Sequence, residues 1–264
     1  MNKTLVSLSR SNLLRSTFRG LRFHRLYNAW LQRFPRKKIL PQSGTIYRSR
    51  RTEGVSLALE ILEGGNCYDP SLLPPNYVTF ADIGCNVGYF ACFLADHAQG
   101  RRIRGIMVDA NPEVLVESQW HVKTNRWDDV HVLQGVVGVK GQTADFFVYE
   151  ADTCSTAELG EAQMPNKDGF KQITVPVLAF GEEWRKRMGE SRCNVLKIDI
   201  EGSELAFLQA ETAFLRLVDV IFVEWHKYRV TFEELDKFLS SQGFALEKII
   251  EDIGLNGTAL YKRV

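Results

Sequence analysis

The run Thr79-Phe80-Ala81-Asp82-Ile83-Gly84-Cys85-Asn86-Val87-Gly88-Tyr89-Phe90 constrains the fold more than any other stretch of the chain. An apolar segment ends in an acid and glycines follow at 84 and 88. Phe90, Phe93, Leu94 and His97 then recur at i, i+3, i+4 and i+7, which predicts a strand, a turn and a helix in that order. The glycines let backbone approach a ligand without a Cβ in the way. The helix N-terminus adds unpaired N–H donors aimed at the same spot. The spacing excludes a dinucleotide fingerprint, because a G-x-G-x-x-G reading from Gly84 needs glycine where Asn86 and Tyr89 stand.

The rest of the chain reads as units of the same kind. Pro70, Pro74 and Pro75 lead into the first strand at about 77–82, and Ile103–Asp109 is the next. Asn111-Pro112 supplies an N-cap and a first-turn proline for a helix running to about Asn125. His131–Val137 is a third strand, Asn194–Asp199 a buried fourth with a helix from about Ser203, and Asp219–Glu224 a fifth. Residues 138–176 read as a β-rich excursion around a polar loop, Asp152-Thr153-Cys154-Ser155-Thr156, broken by Pro165 and Gly169. Thr231 and Glu234 form a capping box, Val230 and Leu235 a hydrophobic staple, and Gly243 stops that helix. Phe244–Ile250 and Thr258–Lys262 close as a hairpin across Gly254-Leu255-Asn256-Gly257. Alternation of strands with helices predicts an α/β fold: an open, mostly parallel, seven-stranded sheet with helices on both faces and an antiparallel last strand.

Charge divides the chain in two. Thirteen of the 33 Lys and Arg lie in residues 1–52, which contain no acid, so the remaining 20 stand against all 32 Asp and Glu. A basic arm and connector (1–52) thus precedes an acidic body (53–264). Phe23, Leu26, Tyr27, Trp30, Leu31 and Phe34 predict an amphipathic helix ending near Pro35, Leu40–Tyr47 a connector, and Val55–Leu62 a second helix. The first helix must bury its apolar side against the body, a second subunit or lipid, and docking on the acidic body is the favoured reading. An Arg- and Ser-bearing, acid-free start also matches an organelle transit peptide. Cys67, Cys85, Cys92, Cys154 and Cys193 are odd in number and form no C-x-x-C pair, which predicts reduced thiols in a cytoplasmic protein with peripheral membrane contact left open. No apolar run reaches the length of a membrane-spanning helix.

In such a sheet, ligands sit at the C-terminal ends of the strands. Asp109, at the end of the second strand, suits the two hydroxyls of a ribose, or else caps the helix that Asn111 already caps. In Leu196-Lys197-Ile198-Asp199-Ile200-Glu201-Gly202-Ser203-Glu204, Asp199 and Glu201 end a buried strand, and Glu204 reads as a helix-start residue. The fifth strand adds Glu224 and His226, the latter a candidate general base or a hydrogen-bonded loop residue. Asp199, Glu201, Glu224 and His226 are also an O/N donor set of the kind that holds Mg²⁺ or Mn²⁺, a divalent metal being compatible but not favoured.

Acid, one residue, Gly, three residues, Gly resembles the S-adenosylmethionine (SAM) loop of Rossmann-like methyltransferases. Phe80–Gly88 with Val108-Asp109-Ala110-Asn111-Pro112 is similar to the SAM site of the FkbM-type methyltransferases. The K-x-D-x-E-G-x-E run at 197–204 looks like that family's signature, and Glu224 matches as well. The resemblance spans roughly residues 60–262. It implies a SAM-dependent methyltransferase acting on a hydroxyl or carboxyl oxygen of a sugar, glycan or secondary metabolite. It assigns Asp82, Gly84, Asn86, Gly88, Asp109 and Asn111 to the cofactor, and Asp199, Glu201, Glu224 and His226 to catalysis. The arm lies outside it, and Ala179-Phe180-Gly181 stands where relatives have Leu-Asp. The expected partner is a small-molecule or glycan acceptor, with a homo-oligomer through the N-terminal helix or a membrane surface as further partners. Against an RNA or protein methyltransferase, the chain holds no Asn/Asp-Pro-Pro-Tyr/Phe run and no RNA-binding module, so a nucleic-acid partner is disfavoured. A non-catalytic binding protein of the same fold remains the reading from another class.

Overall fold

The computed structural model describes residues 23–64, 67–149 and 170–264. The expected arm helix is present as α1 (Phe23–Arg33), but it turns its stripe the other way. Leu31 is fully buried, whereas Leu26 is 66%, Tyr27 40%, Trp30 53% and Phe34 57% exposed. Period fixes which side chains share a face and leaves open which face a neighbour covers. Here the body meets the polar flank, where Asn28 Oδ1 accepts the amide of Thr52 at 2.9 Å.

The expected connector is instead the turn of an antiparallel hairpin, β1 (Arg36–Ile39) with β2 (Ile46–Ser49). The Asp96 carboxylate accepts the amides of Gln42 and Ser43 at 3.1 and 2.9 Å and pins that turn to the body. A row of ion pairs closes the rest. Arg36 and Lys38 meet Glu63, Arg48 meets Glu117 at 2.6 Å, and Arg51 meets Glu113 at 2.7 Å. The acid-free segment thus meets the acidic body, which begins with α2 (Thr52–Ile61), through ion pairs of the hairpin and Arg51 and not through the apolar stripe.

The body runs β3 (Thr79–Ile83), α3 (Tyr89–His97), β4 (Arg104–Asp109), α4 (Pro112–Asn125), β5 (Val130–Gln134), β6 (Thr143–Tyr149), β7 (Phe170–Pro176), α5 (Phe180–Met188) and β8 (Cys193–Ile198). It continues with α6 (Glu204–Ala210), α7 (Thr212–Leu215), β9 (Val218–His226), α8 (Phe232–Ser241), β10 (Phe244–Ile253) and β11 (Asn256–Arg263). Seven strands pair in the order β10-β11-β9-β8-β3-β4-β5. Neighbours from β9 through β5 are parallel, and β11 runs antiparallel to both β9 and β10. Alternate residues of β3 feed two cores: Ala81 and Ile83 pack with Phe180, Trp184 and Phe207, and Phe80 packs with Phe90, Phe93 and Met107. The predicted seven-stranded sheet with helices on both faces is therefore correct.

Boundaries moved at two places that matter. β5 stops at Gln134, where Gly135 passes so close to Leu178 and the Pro176 carbonyl that a Cβ would overlap them. β9 continues past Glu224 to His226, carrying both residues on one strand end. The β-rich excursion is the hairpin β6–β7; its expected polar loop with Cys154, and the breaks at Pro165 and Gly169, lie outside the described residues.

Candidate active site

The ends of β3, β4, β5 and β8 open onto a crevice. Gly84, Asn86, Asp109, Asn111, Asp199 and Glu201 line it. Asn86 stands at φ 48°, a left-handed backbone that turns the loop so its amide reaches Asp109. Asp109 accepts that amide on Oδ2 and the amide of Asn111 on Oδ1, both at 2.8 Å. Each oxygen keeps a lone pair for the crevice. Burial pushes the Asp109 carboxyl above its ordinary value, opposed by those two amides.

Asn111 caps α4 through its side-chain oxygen, which accepts the Glu113 amide at 3.0 Å. Its Nδ2 is buried in the crevice wall with no hydrogen-bond partner. Val108, Val136, Val137 and Phe146 complete an apolar wall beside it. The last three come from the β5 exit and β6, and no motif marked them; the one sequence signal is Gly135, ending an apolar strand.

Asp82 and Gly88 are not in that wall. Gly88 starts α3 in a left-handed conformation and lets Ser118 pack against the loop. Asp82 is fully buried, neither of its oxygens makes a hydrogen bond, and Lys197 Nζ lies 3.5 Å away. Burial lifts the Asp82 carboxyl to about 6, against the pull of Lys197. Lys197 donates to the Gly84 carbonyl at 2.6 Å and to Asp199 Oδ2 at 3.3 Å. Burial opposes its charge, and Asp199 and Asp82 more than restore it, raising its pKa. One ammonium therefore joins the glycine loop to the acid of the next strand. A lysine inside the buried strand Val195–Ile198, beside Asp82 in the parallel register, is the signal that could have marked it.

The β8 exit is a tight turn. A Cβ on Gly84 would overlap the Asp199 carbonyl, and Glu201 and Gly202 both take positive φ (53° and 100°). Glu204, expected to be a helix-start feature, holds that turn from inside. Fully buried, it accepts the Gly202 amide at 2.9 Å and pairs with His226 Nδ1 at 2.8 Å. His226 Nε2 lies 3.2 Å from Glu201. Burial disfavours the imidazolium, but hydrogen bonds to Glu201 and Glu204 outweigh it and raise the pKa to about 11. His226 is thus a charged clamp between two carboxylates, and the general-base expectation for it gives way to this geometry.

Glu224 accepts from Asn256 Nδ2 at 2.8 Å. Burial, then the charge of Asp199, lifts its carboxyl to about 8. One donor atom each from Asp199, Glu224 and His226 lies within 4.8 Å of the others, the separation a single ion would need. Both nitrogens of His226 are already engaged, so this set does not present three open ligands.

The sequence model of the methyltransferase FkbM domain matches residues 82–246, more than half of the chain. The chain belongs to the FkbM methyltransferase family. The family is one of SAM-dependent methyltransferases. The donor set fits that cofactor: paired carboxylate lone pairs on Asp109 for hydroxyls, the orphaned Asn111 amide for a ring nitrogen, and an apolar wall for an aromatic base. No curated protein matches this chain. Among solved structures, M. capricolum TrmK in complex with S-adenosyl-homocysteine is similar over 74% of this chain at 10% identity, TM-score 0.45; the match covers 65% of that protein, less than two thirds of its length. The Methanococcus jannaschii fibrillarin pre-rRNA processing protein is similar over 86% of this chain and 82% of its own at 11% identity, TM-score 0.49.

Proposed function

We propose that this SAM-dependent methyltransferase methylates an oxygen, hydroxyl or carboxyl, of a sugar, glycan or other small metabolite. The observation that carries the reading is the unequal state of the acids beside the crevice. Glu201 and Glu204 are tied to His226, and Glu224 is tied to Asn256 and raised toward its protonated form. Asp199, at the crevice wall, is held among the described residues by Lys197. A carboxylate so placed can take the proton of an acceptor hydroxyl, or orient it, as the methyl is transferred. SAM supplies a methyl already activated on a sulfonium, so the chain's own share is alignment and proton removal. Asp109, Asn111 and Asn86 would hold the adenosine portion. Lys197, anchored by Asp82, would keep Asp199 at a fixed distance from the glycine loop. The Glu201–His226–Glu204 clamp would hold the β8 turn in its strained form.

Ion pairs of Arg48, Arg50 and Arg51 with Glu117 and Glu113 further support a small acceptor, because these arm cations close the arm on the body and not on a nucleic acid. The test is transfer from methyl-labelled SAM to a panel of hydroxyl, carboxyl and amino compounds. Label in alkali-stable ethers or alkali-labile esters is expected; label confined to nitrogen would overturn the reading. Exhaustive chelation should leave transfer unchanged.

A further inference from the structure

The stripe expected to be buried faces outward, and its surroundings say what it meets. Leu26, Tyr27, Trp30 and Phe34 occupy an arc of about 100° on α1, at 100° per residue, and all four are exposed. Tyr27 and Trp30 stack at 5.9 Å, and Trp30 and Phe34 lie at the same separation, giving a continuous aromatic surface. Ile39 of the hairpin is exposed too. Such a patch on a charged body marks an interaction surface.

Charge chooses the occupant. The helix Phe23–Arg33 carries no acid, Arg33 at its end is exposed, and the whole of residues 1–52 holds thirteen cations and no anion. A second copy docking through this helix would set two acid-free surfaces together. The body's acids nearest the arm, Glu63, Glu113 and Glu117, already hold Arg36, Lys38, Arg48, Arg50 and Arg51, leaving little to receive a partner's arm. Residues 1–22 bring Lys3, Arg10, Arg15, Arg19 and Arg22, again without an acid. Tyr and Trp beside Arg and Lys are the composition of helices that lie in the headgroup region of a bilayer. Among the described residues no helix is long and apolar enough to cross a membrane.

We infer that α1 binds the surface of an anionic membrane, its aromatic stripe in the headgroup region and its cations against lipid phosphate and carboxylate. Leu31, a buried member of the stripe, and Asn28, bonded to Thr52 at the start of α2, hold the adjoining flank to the protein, so the catalytic domain rides on the bilayer through a fixed helix and not through a loose tail. The inference does not depend on the identity of the acceptor.

The test is flotation of the full chain with phosphatidylcholine vesicles, with and without phosphatidylserine, beside bilayers whose acyl chains carry bromine. Binding that requires phosphatidylserine and weakens with salt is expected. Bromolipid should quench the tryptophan emission, and Trp30→Phe should abolish the quenching while keeping most of the binding. Trp30→Glu should weaken partitioning about tenfold or more, and Arg33→Ala about fivefold, from roughly 1 kcal/mol per surface cation. SAM affinity, unchanged in each variant, certifies the fold. No flotation on anionic vesicles at low salt overturns the proposal. So does equal flotation of Trp30→Glu, or a fall in solution mass of that variant, which would show that the stripe joins two copies.

Discussion

Asp109, at the end of β4, takes a backbone amide on each carboxylate oxygen, whereas Glu201 and Glu204, after β8, share the two nitrogens of one imidazolium. The first arrangement is local: Asn86, Asp109 and Asn111 are set by two consecutive strand–helix turns, and the amides come with the backbone. The second joins two strand ends at a similar separation, but through side chains alone, Lys197, Glu204, Glu224 and His226, and depends on charges balancing in a buried place. Backbone donors cannot be deprotonated or mutated away, so the half built around Asp109 keeps its donors under substitution. The acceptor half, built of side chains, should be adjustable and easier to break.

The largest effect expected is where the halves touch. Gly84→Val puts a Cβ into the Asp199 carbonyl at a left-handed backbone position, and should cost about 4 kcal/mol or more, read as loss of a cooperative thermal transition. Lys197→Met follows. It leaves Asp82 buried without its counter-ion and should cost about 3–5 kcal/mol in chemical denaturation. The double variant Asp82→Asn/Lys197→Met should regain a good part of that. If it does not, the ammonium is not what joins the two halves.

Smaller changes separate the halves. Asp109→Ala should weaken SAM binding in calorimetry by about 1.5–3 kcal/mol, the worth of a charge-assisted contact. Asp199→Asn should leave SAM affinity nearly unchanged and remove turnover. Should Asp199→Asn lose cofactor affinity while keeping turnover at saturating SAM, the division drawn here would be wrong.

The smallest effect is one of pH. Glu224 holds its proton up to about pH 8 in the folded chain, well above an unfolded glutamate. Over that interval the native state binds more protons than the unfolded one, so stability falls as pH rises and the loss is complete above about 8. Glu224→Gln should flatten this limb, gaining on wild type by about 2–4 °C in melting temperature for each kcal/mol relieved.

The same contrast explains what the sequence made readable. Gly84, Asn86, Asp109 and Asn111 sit in runs whose spacing alone implies a strand end and a helix start, and all four line the crevice. Asp82 belonged to the same motif yet faces Lys197, because alternation along a strand decides which side of the sheet a side chain takes, and a motif does not record it. Lys197 and Glu204 were in plain view in the signature run. Their work could be recognised only once β8 lay beside β3 and Glu204 beside His226, pairings that sequence separation hides. Phe146 reaches the site through a hairpin whose register no local pattern dictates, and Val136 through a single bridge to Val177 just after it. For α1, periodicity gave the helix and the composition of its stripe, but the side that meets the body was settled by Asn28 and Leu31.

The order of the sheet has a consequence for how the molecule is made. β11 lies between β9 and β10, though it follows both in the chain. The outer edge of β9 therefore stays unpaired during synthesis until residues 256–263 have emerged, and β10, finished earlier, has no partner to lie against. The hairpin must form first and add as a unit, or β10 must wait. Asn256 meets His226 and Thr258 meets Glu224 in that final register, so the strand end that carries the acceptor-side residues is bounded last. A growing chain would have the crevice at the ends of β3, β4, β5 and β8 formed before the β9 end was bounded, and its exposed β9 would be the stretch most in need of protection by a chaperone.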